Sequence, residues 1–204
     1  MATLSIEPAG RARKNRLLKS LALLFCLSQL YGCLPAVIGG LAGGVELYTE
    51  RRTLERSAQD NGLEIKLRGV YKQDEMLTDT HLSVTVFNGV VLLSGEVQDD
   101  GQRQHAEKVA KSYEETRRVV NELQLSGTTS LTSRLNDTVI TGKVKSTMVA
   151  NENVPSTNIK VVTENGVVYL LGLVTEKEGQ LAVEVAQAIG GVRQIVKVFE
   201  YIDE

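Results

Sequence analysis

An apolar stretch with the same arrangement of residues occurs twice in the chain. Residues 88–97 read Asn-Gly-Val-Val-Leu-Leu-Ser-Gly-Glu-Val, and residues 165–174 read Asn-Gly-Val-Val-Tyr-Leu-Leu-Gly-Leu-Val. In each copy an Asn-Gly pair, which tolerates the positive φ angles of a type I′ turn, precedes a run of β-branched and aliphatic residues. The pattern predicts a hairpin at both places. Because the spacing between the copies is constant along the stretch, the sequence predicts two related small domains in tandem.

The hydrophobic pattern around the first copy predicts the order helix, strand, strand, helix, strand. A first helix is predicted over about 63–72, because Leu63, Leu67, Val70 and Tyr71 recur at helical spacing. The remaining elements are strands over 82–87 and 90–97, a helix over about 102–115, and a strand over 118–125. A strand, a helix and a further strand of the same sheet predict a right-handed parallel crossover.

The same order of elements is predicted for the second repeat. Asn136, Asp137 and Thr138 can cap a helix that ends near Ala150. Its sheet-facing stripe would consist of Ile140, Val144, Thr147 and Met148. The other elements are strands over 159–163 and 167–174, a helix from the capping box of Thr175 and Glu178 to about Ile189, and a strand over 192–202.

The fold class that follows is α+β, with two α-β-β-α-β domains, each a three-stranded mixed sheet packed by two helices. The predicted boundaries are 61–126 and 135–204, joined by a polar linker over 127–134. A unit of this size is near the lower limit for an independent core, so we expect the two domains to pack on each other. Gly95 and Gly172 interrupt strands, where glycine favours a close approach of backbone.

The N-terminal segment has the pattern of a secretory signal. Basic residues over 11–19 precede an apolar run over 21–30 that is too short to span a bilayer. Leu30-Tyr31-Gly32-Cys33 then resembles the lipobox of bacterial lipoproteins, which implies a signal peptide over 1–32 and a lipid on Cys33. Leu34 occupies the position where Asp favours retention at the inner membrane, so the resemblance implies the periplasmic face of the outer membrane. The alternative is an uncleaved anchor in which Cys33 has no role.

Residues 33–60 are predicted to be a tether. Its first part is rich in glycine, and its second part is charged, with Arg51 and Arg52 near the middle. This basic pair either contacts lipid headgroups or belongs to a solvated linker.

Charge and composition narrow the possible functions. Residues 1–32 carry five of the 23 basic and one of the 25 acidic side chains, so the mature chain would have a net charge of −6. A negative chain is atypical of nucleic-acid binding. The two histidines, His81 and His105, stand alone without further residues at metal-ligand spacing, and no nucleophile motif is present. The sequence therefore predicts a protein that is not an enzyme and carries no metal or cofactor.

The repeated hairpin, the glycines at 95 and 172, the Ala-rich helix and Gly191-Val192-Arg193-Gln194-Ile195-Val196 together resemble the BON (bacterial osmotic-shock and nodulation) domain. Two such domains behind a lipobox resemble the dual BON-domain outer-membrane lipoproteins of Gram-negative bacteria, over about residues 33–203. The resemblance implies a role in envelope integrity and contact with phospholipid. A scaffold that binds an envelope protein is the alternative.

A lipid-contacting surface is predicted on the helix before the second hairpin. With Ile140, Val144 and Met148 facing inward, Val139 and Val149 fall on the outer side beside lysines. Exposed apolar residues next to lysine are typical of a helix that contacts anionic headgroups. The predicted lipid-binding residues are Val139, Gly142, Lys143, Lys145, Ser146 and Val149.

Overall fold

The structure, a computed structural model, describes residues 50–127 and 130–203. The predicted signal peptide, Cys33 and the first part of the tether lie outside the described residues. Within these two ranges, four α-helices and six strands occur in the order predicted. They are α1 (Leu54–Gln73), β1 (His81–Phe87), β2 (Val90–Val97), α2 (Asp100–Lys111), β3 (Arg118–Leu125), α3 (Leu131–Ala150), β4 (Ile159–Glu164), β5 (Val167–Val174), α4 (Glu176–Gln187) and β6 (Gln194–Tyr201).

Each repeat forms a three-stranded sheet with a parallel and an antiparallel pair. The strand orders are β1-β2-β3 and β4-β5-β6. In both sheets the hairpin strands are antiparallel and the last strand is parallel to the middle one, which confirms the predicted crossover. Asn88, Gly89, Asn165 and Gly166 all have positive φ, so both hairpins turn as their Asn-Gly pairs predict. The α+β fold class is therefore confirmed.

Helices α1 and α3 begin earlier than the sequence predicted. Thr53 caps α1 by accepting a hydrogen bond from the backbone N–H of Arg56, and Ser130 caps α3 in the same way through Ser133. Asp137, predicted as a cap, instead lies buried within α3. The first turns of these two helices give no amphipathic signal in the sequence, because their apolar residues face solvent rather than a core. Helix α2 ends at Lys111, four residues before the predicted Glu115.

One face of each sheet packs against its own two helices. In the first domain Leu63, Leu67 and Tyr71 of α1 are buried as predicted, whereas Val70 is 37% exposed. In the second domain Ile140, Val144 and Met148 are buried, but the prediction for Thr147 is wrong, since it is exposed. The hydroxyl of Thr147 donates to the carbonyl of Lys143 within the helix, 2.9 Å away.

The opposite faces of the two sheets pack on each other. Phe87, Val90 and Leu92 of the first domain form one buried cluster with three residues of the second, Tyr169, Leu171 and Val198. Strands β2 and β5 are therefore buried on both faces, which explains why their sequences are apolar without alternation. The expected packing between the two domains is present.

The two sheets are stacked so that the hairpin of each domain lies near the end of the last strand of the other. Asn88 in the first hairpin donates from Nδ2 to Glu200 at the end of β6, 2.8 Å away, and Arg117 forms an ion pair with the same carboxylate at 3.0 Å. The corresponding residues of the second domain, Asn165 and Arg193, line a cleft together with Gln124 near the end of β3. An approximate two-fold relation thus connects the domains, and the ion pair is formed on one side of it.

The segment before α1 fastens the two domains together. The guanidinium of Arg51 binds both carboxylate oxygens of Glu178, each at 2.7 Å, and donates to the carbonyl of Leu173. Arg52 stacks on the ring of Phe87 at 3.9 Å and pairs with Asp60 at 2.9 Å. The interpretation of this basic pair as part of a solvated linker is therefore wrong, and the headgroup contact stays a prediction.

Candidate functional site

A buried aspartate ties each long helix to the hairpin of its own domain. In the second domain the carboxylate of Asp137 accepts hydrogen bonds from the backbone N–H groups of Asn165 and Gly166, both at 2.8 Å. In the first domain Asp60 accepts from Asn88 and Gly89 at 2.6 and 2.8 Å. The two hydrogen bonds of Asp137 help to fix the position of α3 on its sheet, because they add to the apolar contacts of the buried face.

The outward face of α3 carries an apolar stripe. Leu131, Leu135, Val139 and Val149 are respectively 68%, 61%, 52% and 72% exposed. Their spacing follows the helical period, with Gly142 and Ser146 filling the positions between Val139 and Val149. The stripe lies opposite the buried residues Ile140, Val144 and Met148, so the side chains of the stripe point away from the domain.

The charges on α3 are arranged around this stripe. Lys143 and Lys145 are exposed and flank it on two sides, and neither forms an ion pair within residues 50–127 and 130–203. Asp137 is the one acidic residue of α3 and is 4% exposed, with its oxygens held by the hairpin. The exposed surface of α3 is therefore apolar along its centre and cationic at its edges.

The six residues predicted to bind lipid are all exposed and lie on one side of α3: Val139, Gly142, Lys143, Lys145, Ser146 and Val149. Sequence reasoning missed Leu131 and Leu135, which extend the same stripe by two turns. Their spacing of four residues, from one another and on to Val139, is the signal in the sequence, and it is visible when the helix begins after its cap, Ser130.

The histidines are engaged in pairs with carboxylates. His105 Nε2 lies 2.7 Å from Asp74, and His81 Nε2 lies 3.4 Å from Glu164 of the second domain. The hydrogen bond from His105 lowers the pKa of Asp74 below its usual range. In the part of the chain that the structure describes, no group of acidic, histidine and cysteine side chains is arranged to hold a metal ion.

Comparison with known proteins agrees with this architecture. The chain matches the BON domain over residues 59–127 and 136–203. It is 36% identical over 188 residues to the outer membrane lipoprotein DolP of Haemophilus influenzae, covering 91% of this chain and 97% of that protein. It is 30% identical over 131 residues to a 21 kDa hemolysin of Actinobacillus pleuropneumoniae, covering 64% of this chain and 68% of that protein. Identity to the osmotically inducible protein Y of Escherichia coli is 31% over 139 residues, 67% of this chain and 69% of that protein.

The chain therefore belongs to the BON domain family. More particularly, it is a dual BON-domain lipoprotein of the outer membrane, as its similarity to almost the entire length of DolP indicates. Among the described residues, the structure contains no helix that is both long and apolar enough to cross a membrane.

Proposed function

We propose that the chain is a non-enzymatic envelope protein that binds anionic phospholipid through the exposed face of α3 and thereby supports the integrity of the outer membrane. The observation that carries this proposal is the apolar stripe of α3 with lysines at its edges and no exposed carboxylate within the helix. Apolar side chains can enter the headgroup boundary while the lysines attract lipid phosphates.

The contact would be weak on its own. Burying one valine side chain contributes about 1.5 kcal/mol or more, and each lysine near an anionic surface contributes about 1 kcal/mol. The stripe contains no aromatic residue, which is the usual interfacial anchor. A covalent lipid on Cys33, after removal of residues 1–32, would supply the main attachment, and α3 would then orient the second domain on the membrane.

Vesicle binding by a fragment that begins at Glu46 tests the proposal, because residues 46–204 form one compact unit and lack Cys33. The fragment should bind vesicles containing phosphatidylglycerol and should bind phosphatidylcholine vesicles less. Val139→Glu together with Lys145→Glu should weaken binding by about tenfold or more, since a loss of 1.4 kcal/mol is a factor of ten. The melting temperature should be unchanged, since both side chains are exposed.

A matched pair of single variants sharpens the test. Val149 on α3 and Ile65 on α1 are both 72% exposed. Val149→Glu should weaken vesicle binding, whereas Ile65→Glu should leave it unchanged. Equal binding by the wild-type fragment and a folded double variant would refute the contact through α3. Absence of binding to either vesicle would favour the alternative, a scaffold that binds an envelope protein.

A further inference from the structure

The outer face of α1 has an apolar stripe that the structure leaves uncovered. Leu54 is 91% exposed and Ile65 is 72% exposed, on the side of the helix opposite the buried Leu63 and Leu67. Ala58, Gly62 and Gly69 lie on the same line at spacings of three and four residues. The face is therefore a shallow groove with one large side chain, Ile65, near its middle.

The two glycines of this face have no explanation within their own domain. A Cβ atom built at Gly62 or at Gly69 would meet nothing within 4 Å. Each glycine within a helix costs about 1 kcal/mol relative to alanine. Because neither glycine has a side chain, a side chain from a neighbouring helix can approach the backbone there.

The charges at the two ends of the stripe are opposite. Glu55 lies at the N-terminal end and Lys72 at the C-terminal end; both are exposed, and neither forms an ion pair within the described ranges. Antiparallel copies of α1 would place Glu55 of one against Lys72 of the other, whereas parallel copies would place like charges together. The face also differs from that of α3, because an exposed carboxylate beside the stripe opposes contact with an anionic surface.

We propose that two copies of this chain associate through α1, with the helices antiparallel and crossing at Gly62 and Ile65. The Ile65 side chain of each copy enters the space above Gly62 of the other, and Glu55 pairs with Lys72 at both ends. The complementarity of shape and charge is thus contained in a single helix face, as a two-fold contact requires.

The proposed interface between the two copies of α1 is small, so we expect it to form mainly where the copies are concentrated. Helix α1 has 20 residues and is about 30 Å long, so a single crossing buries less than the roughly 1,200 Å² of a stable interface. Attachment to the outer membrane confines the copies to a surface and raises their effective concentration. The rise in effective concentration rests on the lipid attachment in the proposed function. The contact between the two α1 helices does not depend on that attachment.

Disulfide cross-linking of the full chain in outer membranes tests the proposal. At the crossing proposed, the two copies of residue 65 are offset by about 4.5 Å along the axis, three residues at 1.5 Å each. With helix axes about 8 Å apart and a Cα radius of about 2.3 Å, their Cα atoms are about 5.6 Å apart, within reach of a disulfide. Ile65→Cys should give a covalent dimer on mild oxidation, and wild type should not. Leu125→Cys, at the end of β3 and 52% exposed, lies outside both α1 and α3; it is the control for random collision and should give little dimer.

Charge reversal at Glu55 and Lys72, in the Ile65→Cys variant, tests whether the two helices are antiparallel. Glu55→Lys and Lys72→Glu should each lower the yield of dimer by about fivefold, since each breaks two ion pairs and brings like charges together. The variant with both changes should restore the yield. An equal yield of dimer from Leu125→Cys, or no restoration by the double variant, would overturn the proposal. Vesicle binding by the fragment from Glu46 should be unaffected by these charge changes, so failure here is distinct from failure of the lipid contact.

Discussion

Asp137 of α3 and Gly166 of the second hairpin lie 29 residues apart in sequence, yet the carboxylate oxygen of one accepts the backbone N–H of the other at 2.8 Å. The aspartate is 4% exposed and its two oxygens serve two adjacent N–H groups. The side chain thus satisfies the donors of a tight turn that the hairpin strands leave unpaired.

Asp137→Asn should destabilise the chain by about 1–3 kcal/mol, because one oxygen becomes an NH₂ group and a buried N–H loses its acceptor. The free energy of unfolding from urea denaturation of the fragment beginning at Glu46 measures this. Asp99→Asn is the control: Asp99 caps α2 from an exposed position, and Asn caps a helix as well as Asp. Equal stability of both variants and wild type would show that the turn does not need the carboxylate.

Gly95→Ala and Gly172→Ala should each destabilise the fold by more than about 1 kcal/mol. At Gly95 φ is +110° and an added Cβ would lie 1.9 Å from the carbonyl oxygen of His81. At Gly172 the Cβ would lie 2.6 Å from the carbonyl oxygen of Asn158. Gly142→Ala in α3, where a Cβ meets nothing within 4 Å, should instead stabilise by about 0.5–1 kcal/mol. Thermal melting of the three variants checks the contrast, which fails if the strand variants melt with wild type.

Arg51→Gln should lower stability at neutral pH and have less effect in acid. The hydrogen bonds from Arg51 lower the pKa of Glu178 below its ordinary value of 4.5, against the opposing effect of burial, with help from the N–H of Thr175. Because the pKa is lower in the folded chain, the ionised carboxylate stabilises the fold above pH 4.5, and this contribution disappears as the pH falls through the lowered value.

The expected loss for Arg51→Gln at pH 7 is about 1.5–3 kcal/mol, the range for hydrogen bonds to charged groups. Urea denaturation of wild type and variant between pH 7 and pH 3 measures the difference at each pH. Lys66→Gln, which breaks the more exposed pair with Glu115, should have a smaller effect throughout. A loss for Arg51→Gln that stayed constant into acid would contradict the assignment to Glu178.

Cys33→Ala should release the full chain from the outer membrane into the soluble fraction. The exposed face of α3 would be the remaining lipid contact, and a single weak contact does not hold a protein stably. Fractionation, together with metabolic labelling by a fatty acid such as palmitate, checks this. Retention of the variant in the membrane, combined with an unlabelled wild type, would contradict lipidation at Cys33.

The order of elements could be predicted because its signals are local. The Asn-Gly turns and the capping box of Thr175 and Glu178 are each contained within a few residues, and the structure has both. The starts of α1 and α3 could not be predicted in this way, because Leu54, Leu131 and Leu135 face solvent and give no core-facing period. Helix prediction from amphipathic pattern fails where the outer face is itself apolar.

The buried aspartates were missed for a related reason. The local sequence favours a charged tether for Asp60 and a helix cap for Asp137, since acidic residues are rarely buried. Their positions repeat at the same spacing as the two Asn-Gly turns, and that coincidence was the available signal. The contacts of Arg51 and Arg52 depend on residues more than a hundred positions away or in another element, so no local pattern could reveal them.

The approximate two-fold packing of the two sheets has a consequence for how the repeats have diverged. Two separate copies of such a domain would need matching surfaces and a sufficient concentration to assemble, but one polypeptide pairs them regardless of dilution. The ion pair between the domains is then needed at only one of the two equivalent positions. Arg117 and Glu200 form it at one position, whereas Gln124 and Arg193 line the cleft at the other. Released from identity, the two outer helices are free to differ, and a single molecule presents two different exposed faces, with lysines beside the apolar stripe of α3 and opposite charges at the ends of the stripe of α1.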